Sequence, residues 1–403
     1  MSFNKEDPII QMMVPEFISK FGCNPEVAGR APGRVNLIGE HIDYCGFPVF
    51  PMALKDKHTT VLISLNDSGK INCKNTDPAN YPDAEVNSIA PESELVSTGW
   101  SKYVESAIKE YCKTFNYTIH GINILVHGTV PIASGLSSSA ALLCSIVIAL
   151  NALQNVDHDK QALINCSIEA EHRVGMNCGG MDQSISILGQ EGYALIIGFS
   201  PPSTKLVKLP DAHFIVAHCM KKSAKVEGYD ENCYNHRVLE VRRAAELMAA
   251  NCKTIGDVVK SVGGFDKAIE LAEKLPQKEG NLVLRDRALH VLTEAQRVLK
   301  MENATLDEWG TLMCESHRSC RDLYHCSCEE LDELVEEGLK DGAIGGRLTG
   351  AGWGGCAIFL LRKENDPQLF IEKLKKGYYE RRKIENPIVF ATKPGQGAEA
   401  FKF

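Results

Sequence analysis

Between Pro131 and Leu150 the texture of the chain changes abruptly. Pro131-Ile132-Ala133-Ser134-Gly135-Leu136-Ser137-Ser138-Ser139 is small and turn-forming, and it leads into Ala140–Leu150, eleven residues whose apolar character only Ser145 interrupts. A membrane-spanning helix needs about 20 apolar residues, so this run predicts a buried core helix. Ile122-Asn123-Ile124-Leu125-Val126 just before it reads as a strand. A small-residue loop between a strand and a helix lets backbone N–H groups approach an anion closely, with the helix dipole adding positive potential. The serine hydroxyls can bond phosphate or face a metal. The alternative is a serine cap on a core helix. The loop lacks the Gly-Lys-Ser/Thr of a Walker A motif, and the chain lacks a His-Arg-Asp loop followed by Asp-Phe-Gly. A nucleotide bound here would therefore belong to neither of those common classes.

The rest of the chain mixes helices and strands without strict alternation, which predicts an α+β protein. A length of 403 residues suggests two domains. Ser200-Pro201-Pro202-Ser203 is the best boundary, dividing 1–200 from 201–403. Strands are expected at 47–53, 58–63, 194–197, 213–218 and 388–392, with loops and short strands over 66–95. Helices are expected at 100–115, 159–173, 233–250, 255–275 with a break at Gly263-Gly264, 286–299, 322–339 and 368–382. A net charge of -8 argues against a nucleic-acid surface. The opening Met1–Asp7 has no basic patch followed by an apolar run, and 15 cysteines without a secretory signal fit reduced thiols. A cytoplasmic protein without a membrane or nucleic-acid partner is expected. Cys314, Cys320, Cys326 and Cys328 lack the paired spacing usual for structural zinc.

Three further constellations carry chemistry. Gly29–Tyr44 packs Arg30, Arg34, Glu40, His41 and Asp43 among turn formers. Carboxylates accept bonds from sugar hydroxyls and arginines meet phosphates; the alternative is a charged surface loop. Gly345–Gly355 holds six glycines in eleven residues, implying positive backbone angles or close approach to another group, as in a tight hairpin packed on the first domain. Glu171 and Asp182 lie eleven positions apart around Gly179-Gly180, a spacing that can bring both carboxylates to one pocket.

Together Gly33–Tyr44, Gly135–Ala140 and Gly350–Gly355 resemble, in order, the three motifs of the GHMP small-molecule kinase superfamily, and within it the galactokinase branch. The resemblance spans nearly the whole chain. His41–Gly46, Gly179–Ser184 and Ser319–Cys328 look closest to the N-acetylgalactosamine kinases of that branch, although the 255–285 region is shorter and His236 is unusual near the sugar site.

The resemblance implies a two-domain GHMP kinase fold, with an N-terminal domain like ribosomal protein S5 domain 2, a ferredoxin-like C-terminal domain, and the active site between them. It implies ATP and Mg2+, with phosphoryl transfer to the C1 hydroxyl of N-acetylgalactosamine; galactose is the alternative acceptor. By the same resemblance Asp182 and Arg34 are catalytic, and Arg34, Glu40, His41, Asp43, Asp182, Tyr234 and Gly346 border the sugar. Gly135, Leu136, Ser137, Ser138, Ser139 and Ala140 cradle the phosphates, Ser139 and Glu171 hold the metal, and Trp100 lies near the adenine. The helical spacing of Trp100 and Tyr103 equally suits a core helix. A second alternative is a non-catalytic relative that binds ATP and galactose to regulate transcription; the uninterrupted Ser138-Ser139-Ala140, with Arg34 and Asp182 present, favours an enzyme. A monomer is the default.

Overall fold

The computed structural model describes residues 3–87, 89–223 and 234–403. Helix α1 (Pro8–Phe21) starts on an Asp7 cap and ends at Gly22. It leads into β1 (Val27–Ile38), followed by β2 (Phe50–Leu65), β3 (Ile71–Asn75), β4 (Ala84–Val86), α2 (Ser101–Thr114) and β5 (Ile122–Gly128). Next come α3 (Ser138–Gln154), α4 (Lys160–Arg173), α5 (Met181–Leu188), β6 (Tyr193–Phe199), β7 (Pro202–Lys208) and β8 (Ala212–His218). Helices α6 (Tyr234–Met248), α7 (Ile255–Val262) and α8 (Phe265–Glu273) precede the short strands β9 (Lys278–Glu279) and β10 (Leu282–Val283). The chain closes with α9 (Arg285–Met301), α10 (Leu306–Asp322), α11 (Glu329–Lys340), β11 (Gly345–Thr349), β12 (Cys356–Arg362), α12 (Pro367–Leu374), β13 (Val389–Thr392) and β14 (Glu399–Lys402).

The larger sheet has the order β14-β1-β2-β5-β3-β4, the smaller β11-β12-β8-β13. The expected α+β class is what the structure has. Strand β1 is buried along nearly its whole length between β14 and β2, so the first half of the Gly29–Tyr44 constellation is a central strand, not a surface loop. Helix α3 crosses it at Gly29, where a Cβ would stand 2.3 Å from the Ser145 carbonyl oxygen. The register slips between Pro32 and Arg34, a bulge that re-aims the Arg34 side chain.

Several sequence expectations shift. The stretches 50–53 and 58–63 belong to one sixteen-residue strand, β2, while 47–49 precede it and Val49 bridges to Ile197. Ser200–Ser203 spans the turn and first residues of the β6–β7 hairpin, in which Phe199 pairs with Pro202, so this stretch is not a linker. The last strand, β14, returns to the N-terminal sheet, and one apolar core joins Val35, Phe50 and Met52 to Val216 and Ile358. The helix expected over 322–339 starts later, as α11 at Glu329: Asp322 ends α10, and His325 turns left-handed between the two. Beyond α12 the helical path expected to 382 widens into a π-type segment, Lys375–Glu380. Cys233, at the expected start of α6, lies outside the described residues.

Candidate active site

Arg34, thrown inward by the β1 bulge, is the hub. Its Nε and one terminal nitrogen reach Asp182 Oδ1 at 2.8 and 2.7 Å, and the other donates to the Gly135 carbonyl oxygen at 2.5 Å. Its backbone N–H donates to Leu136 O at 3.1 Å. One residue thus ties the small-residue loop to the carboxylate of Asp182, in the first turn of α5. A desolvated arginine between a carboxylate and an anion cradle favours the ionised carboxylate and meets incoming phosphate.

The loop takes its shape from backbone approach. Ser137 holds φ 60° as it enters α3, and its buried hydroxyl oxygen has no hydrogen-bond partner. An orphaned hydroxyl beside a helix N-terminus suits a phosphate oxygen. Behind the loop stands the β11–β12 hairpin. A Cβ at Gly350, φ +83°, would meet Gly135 O at 2.3 Å, and one at Gly135 would meet Thr349 O at 2.8 Å. Gly350 and Gly355 are glycines because the hairpin and the loop press backbone to backbone there.

Ser139 Oγ donates to Glu171 Oε1 at 2.7 Å, and Gln183 Nε2 bonds the other carboxylate oxygen. Among the described residues no group of three or more His, Cys, Asp or Glu side chains is gathered for a metal. One carboxylate and one hydroxyl, both hard oxygen donors beside a phosphate cradle, fit Mg2+, which keeps waters and takes phosphate oxygens as ligands.

Glu40, His41, Asp43 and Tyr234 line the same cavity as Arg34, Asp182 and Glu171. His41 holds φ 62°; its Nε2 lies 3.0 Å from Ala351 O and its Nδ1 2.8 Å from Tyr44 Oη. Those partners assign the proton to Nε2, with Tyr44 donating to Nδ1 and Tyr324 Oη, 2.8 Å away, donating to Tyr44. Tyr234 packs on His41 at 5.3 Å between ring centroids. Burial, then the neighbouring charge of Asp182, pushes the Asp43 carboxyl up to about 6. Burial also raises the Glu40 carboxyl, against the pull of Arg347 and Arg34.

Gly346, Trp100 and His236 do not line this cavity, and neither do Gly135, Leu136, Ser137, Ser138, Ser139 and Ala140 of the small-residue loop. Gly346 sits inside β11, where a Cβ would meet Phe359 at 3.0 Å, and it does not line the cavity; strand pairing turns it toward α11. Trp100 stands at the N-terminus of α2, donating Nε1–H to Pro82 O at 2.9 Å and packing edge-on against Tyr81. His236 is buried in α6 beside Glu240, 3.6 Å away, outside the cavity lining. Gly350 and Ala351 do line it, as do Met176, Cys178 and Met181, none of which was assigned to the sugar or the nucleotide from sequence.

Three family models match: the galactokinase galactose-binding signature over residues 15–65, the GHMP kinase N-terminal domain over 102–190 and the GHMP kinase C-terminal domain over 299–380. A curated galactokinase of Dictyostelium discoideum is 34% identical, covering 94% of this chain and 90% of its own. The crystal structure of Lactococcus lactis galactokinase complexed with galactose superposes with a TM-score of 0.83 at 28% identity, covering 97% of this chain and 99% of that one. Methanococcus jannaschii mevalonate kinase, at 19% identity, TM-score 0.64 and coverage of 92% and 99%, shares the fold. Fold and site define a GHMP kinase, an enzyme that moves phosphate from ATP to a small molecule. Within that class the chain belongs to the galactokinase family and is an ATP-dependent sugar kinase.

Proposed function

We propose that the enzyme transfers the ATP γ-phosphoryl group to the C1 hydroxyl of galactose, giving galactose 1-phosphate and ADP. The observation that carries this reading is the Arg34–Asp182 ion pair at 2.7 Å, which shares one cavity with Glu40, His41 and Asp43 while Arg34 also bonds Gly135 of the phosphate loop. The galactose-binding signature over that turn and the names of the relatives favour galactose over the N-acetylgalactosamine expected from sequence.

In this mechanism Asp43, Glu40 and His41 bind the sugar hydroxyls and turn C1 toward Asp182. An Asp paired with Arg is a weak base, so Asp182 takes the hydroxyl proton late, after much of the bond to ADP has broken. Arg34 offsets charge on the transferring group, and its bond to Gly135 fixes its distance from the phosphate loop. Ser139 and Glu171 would hold Mg2+, which supplies charge neutralisation at the phosphates. Met176, Cys178 and Met181 border the cavity beside Asp182. N-acetylgalactosamine, the acceptor expected from the sequence, is the second acceptor we propose. We also propose a cytoplasmic monomer without nucleic-acid or membrane partners; light scattering giving the mass of a single chain supports the monomer.

The test is ADP release with Mg-ATP and each sugar, with Asp182→Asn alongside. Galactose should give the larger kcat/KM, and Asp182→Asn should lower kcat by about 10^2–10^4 while sugar still binds. A larger value for N-acetylgalactosamine replaces the substrate and leaves the mechanism. Binding of both ligands without turnover defeats the catalytic reading in favour of a sensor.

A further inference from the structure

The turn that carries Glu40 and His41 is strained and is held from outside its own half of the chain. Gly39 has φ 104° and His41 φ 62°, and a non-glycine residue held left-handed needs surroundings that fix it. Helix α9 supplies them. Glu294, with no exposed surface, accepts the backbone N–H of Gly39 at 2.9 Å and that of Glu40 at 3.2 Å on Oε1. The same oxygen takes the Ser316 hydroxyl at 2.6 Å, while Oε2 takes Arg297 Nε at 2.8 Å. One helical turn earlier, His290 Nε2 lies 3.1 Å from the carbonyl oxygen of Glu40 and Nδ1 lies 2.8 Å from Ser319 Oγ. A carbonyl oxygen only accepts, so His290 donates from Nε2. Burial holds its pKa at about 4, which keeps the ring neutral and leaves Nδ1 to accept from Ser319.

Positions 290 and 294 are i and i+4 and share one face of α9. They grip the N–H and the C=O of Glu40 from either side. The side chain is gripped separately: Arg347, fully buried, pairs with Glu40 Oε2 at 2.7 Å and donates to Asn36 O at 2.8 Å. Neither His290 nor Glu294 lines the cavity.

We infer that Glu294 and His290 are positioning residues for the sugar, acting through the main chain of Gly39–His41 to set where Glu40 and His41 point. The inference rests on the reading of that turn as the sugar site. Because the phosphate loop is built by other elements, loss of the grip falls on sugar KM and spares ATP.

The experiment measures KM for galactose and for ATP in Glu294→Gln, Glu294→Ala and His290→Phe. Glu294→Gln keeps an acceptor for the two N–H groups and should stay within about threefold of wild type. Glu294→Ala should raise galactose KM by about tenfold or more with ATP KM within about twofold. His290→Phe keeps the ring against Tyr324, 4.4 Å between centroids, and loses both polar contacts; galactose KM should rise about fivefold. Unchanged galactose KM in folded Glu294→Ala, or galactose and ATP KM rising together, overturns the inference. If Glu294→Ala does not fold, His290→Phe decides alone, and wild-type galactose KM there overturns it. A wild type that phosphorylates neither sugar defeats the functional reading instead, before any variant is compared.

Discussion

The two ends of the active-site cavity are built by opposite means. At the phosphate end the shape comes from backbone contact: Gly135 and Gly350 let two backbones meet, and the apolar α3 follows the loop. At the sugar end there is a surplus of buried charge, with Glu40, Asp43, Arg347 and Glu294 all nearly inaccessible to solvent. The first construction fixes shape through sterics. The second fixes direction through hydrogen bonds, at the cost of desolvated ionic groups. An anion is recognised by a cradle of dipoles, whereas a sugar demands one partner for each hydroxyl.

The sharpest way to break this contrast is Gly350→Ala. The substitution adds a Cβ 2.3 Å from Gly135 O at a residue with φ +83°. Strain at a left-handed position and a backbone clash that no rotamer relieves should together cost about 3 kcal/mol of stability. Whatever folds should bind ATP at least tenfold more weakly, because the hairpin can only escape by pushing the phosphate loop. Urea melts and ATP titration check both. A variant as stable and as tight for ATP as wild type would show that the hairpin does not shape the loop.

Asp43→Asn tests the charged end, and its sign is opposite. The carboxyl is raised from 3.8 to about 6 chiefly by burial. The unfolded chain ionises above its ordinary value while the folded chain resists until about 6, so wild-type stability falls as pH rises through that window. The difference corresponds to about 3 kcal/mol above pH 6. Asp43→Asn should therefore be more stable than wild type at pH 8, by up to that amount, and equal to it near pH 4. Its galactose kcat/KM should fall by about 10–100-fold with the loss of a charged acceptor. Wild-type kcat/KM should fall below about pH 6 as Asp43 protonates. Melts and initial rates across pH 4–8 separate the two effects; a variant no more stable at pH 8 would mean that Asp43 is well solvated.

The same contrast explains what was legible in the sequence. The phosphate end could be read because its rule is local: small residues, then an apolar helix, within Pro131–Leu150. The aromatic and charged residues of the sugar end were visible where they cluster, from Glu40 to Asp43. Their supports were not. Glu294 and His290 sit in an amphipathic helix whose spacing says only that one face is buried, and Glu294 meets Gly39 across 255 positions. Gly346 was assigned to the sugar by the family resemblance, but strand pairing sends its face the other way. Strand β1 was not read as a strand, because its glycines, proline and charges disguise one, and β14 and α1 carry no motif at all. The Ser200–Ser203 stretch has the composition of a linker and of a hairpin turn alike, and only its register distinguishes them.

The smallest effect should come from Ser139→Ala, where the two constructions meet. The hydroxyl donates to Glu171 Oε1 at 2.7 Å, and that carboxylate also takes Gln183. Removing the hydroxyl deletes one oxygen donor for Mg2+ and one hydrogen bond to a charged group, about 1.5–3 kcal/mol by type and nearer the lower figure where the group is part-buried. The fold should lose no more than about 1.5 kcal/mol, since Gln183 still bonds Glu171 and the Cβ is kept at the start of α3. The Mg2+ concentration giving half-maximal rate should rise about tenfold, while saturating Mg2+ restores most of kcat. Glu171→Gln should raise it further, because it removes the charge itself. If Ser139→Ala instead lowers stability and leaves the Mg2+ dependence unchanged, the Ser139–Glu171 bond is a structural tie between α3 and α4, and the metal is held elsewhere.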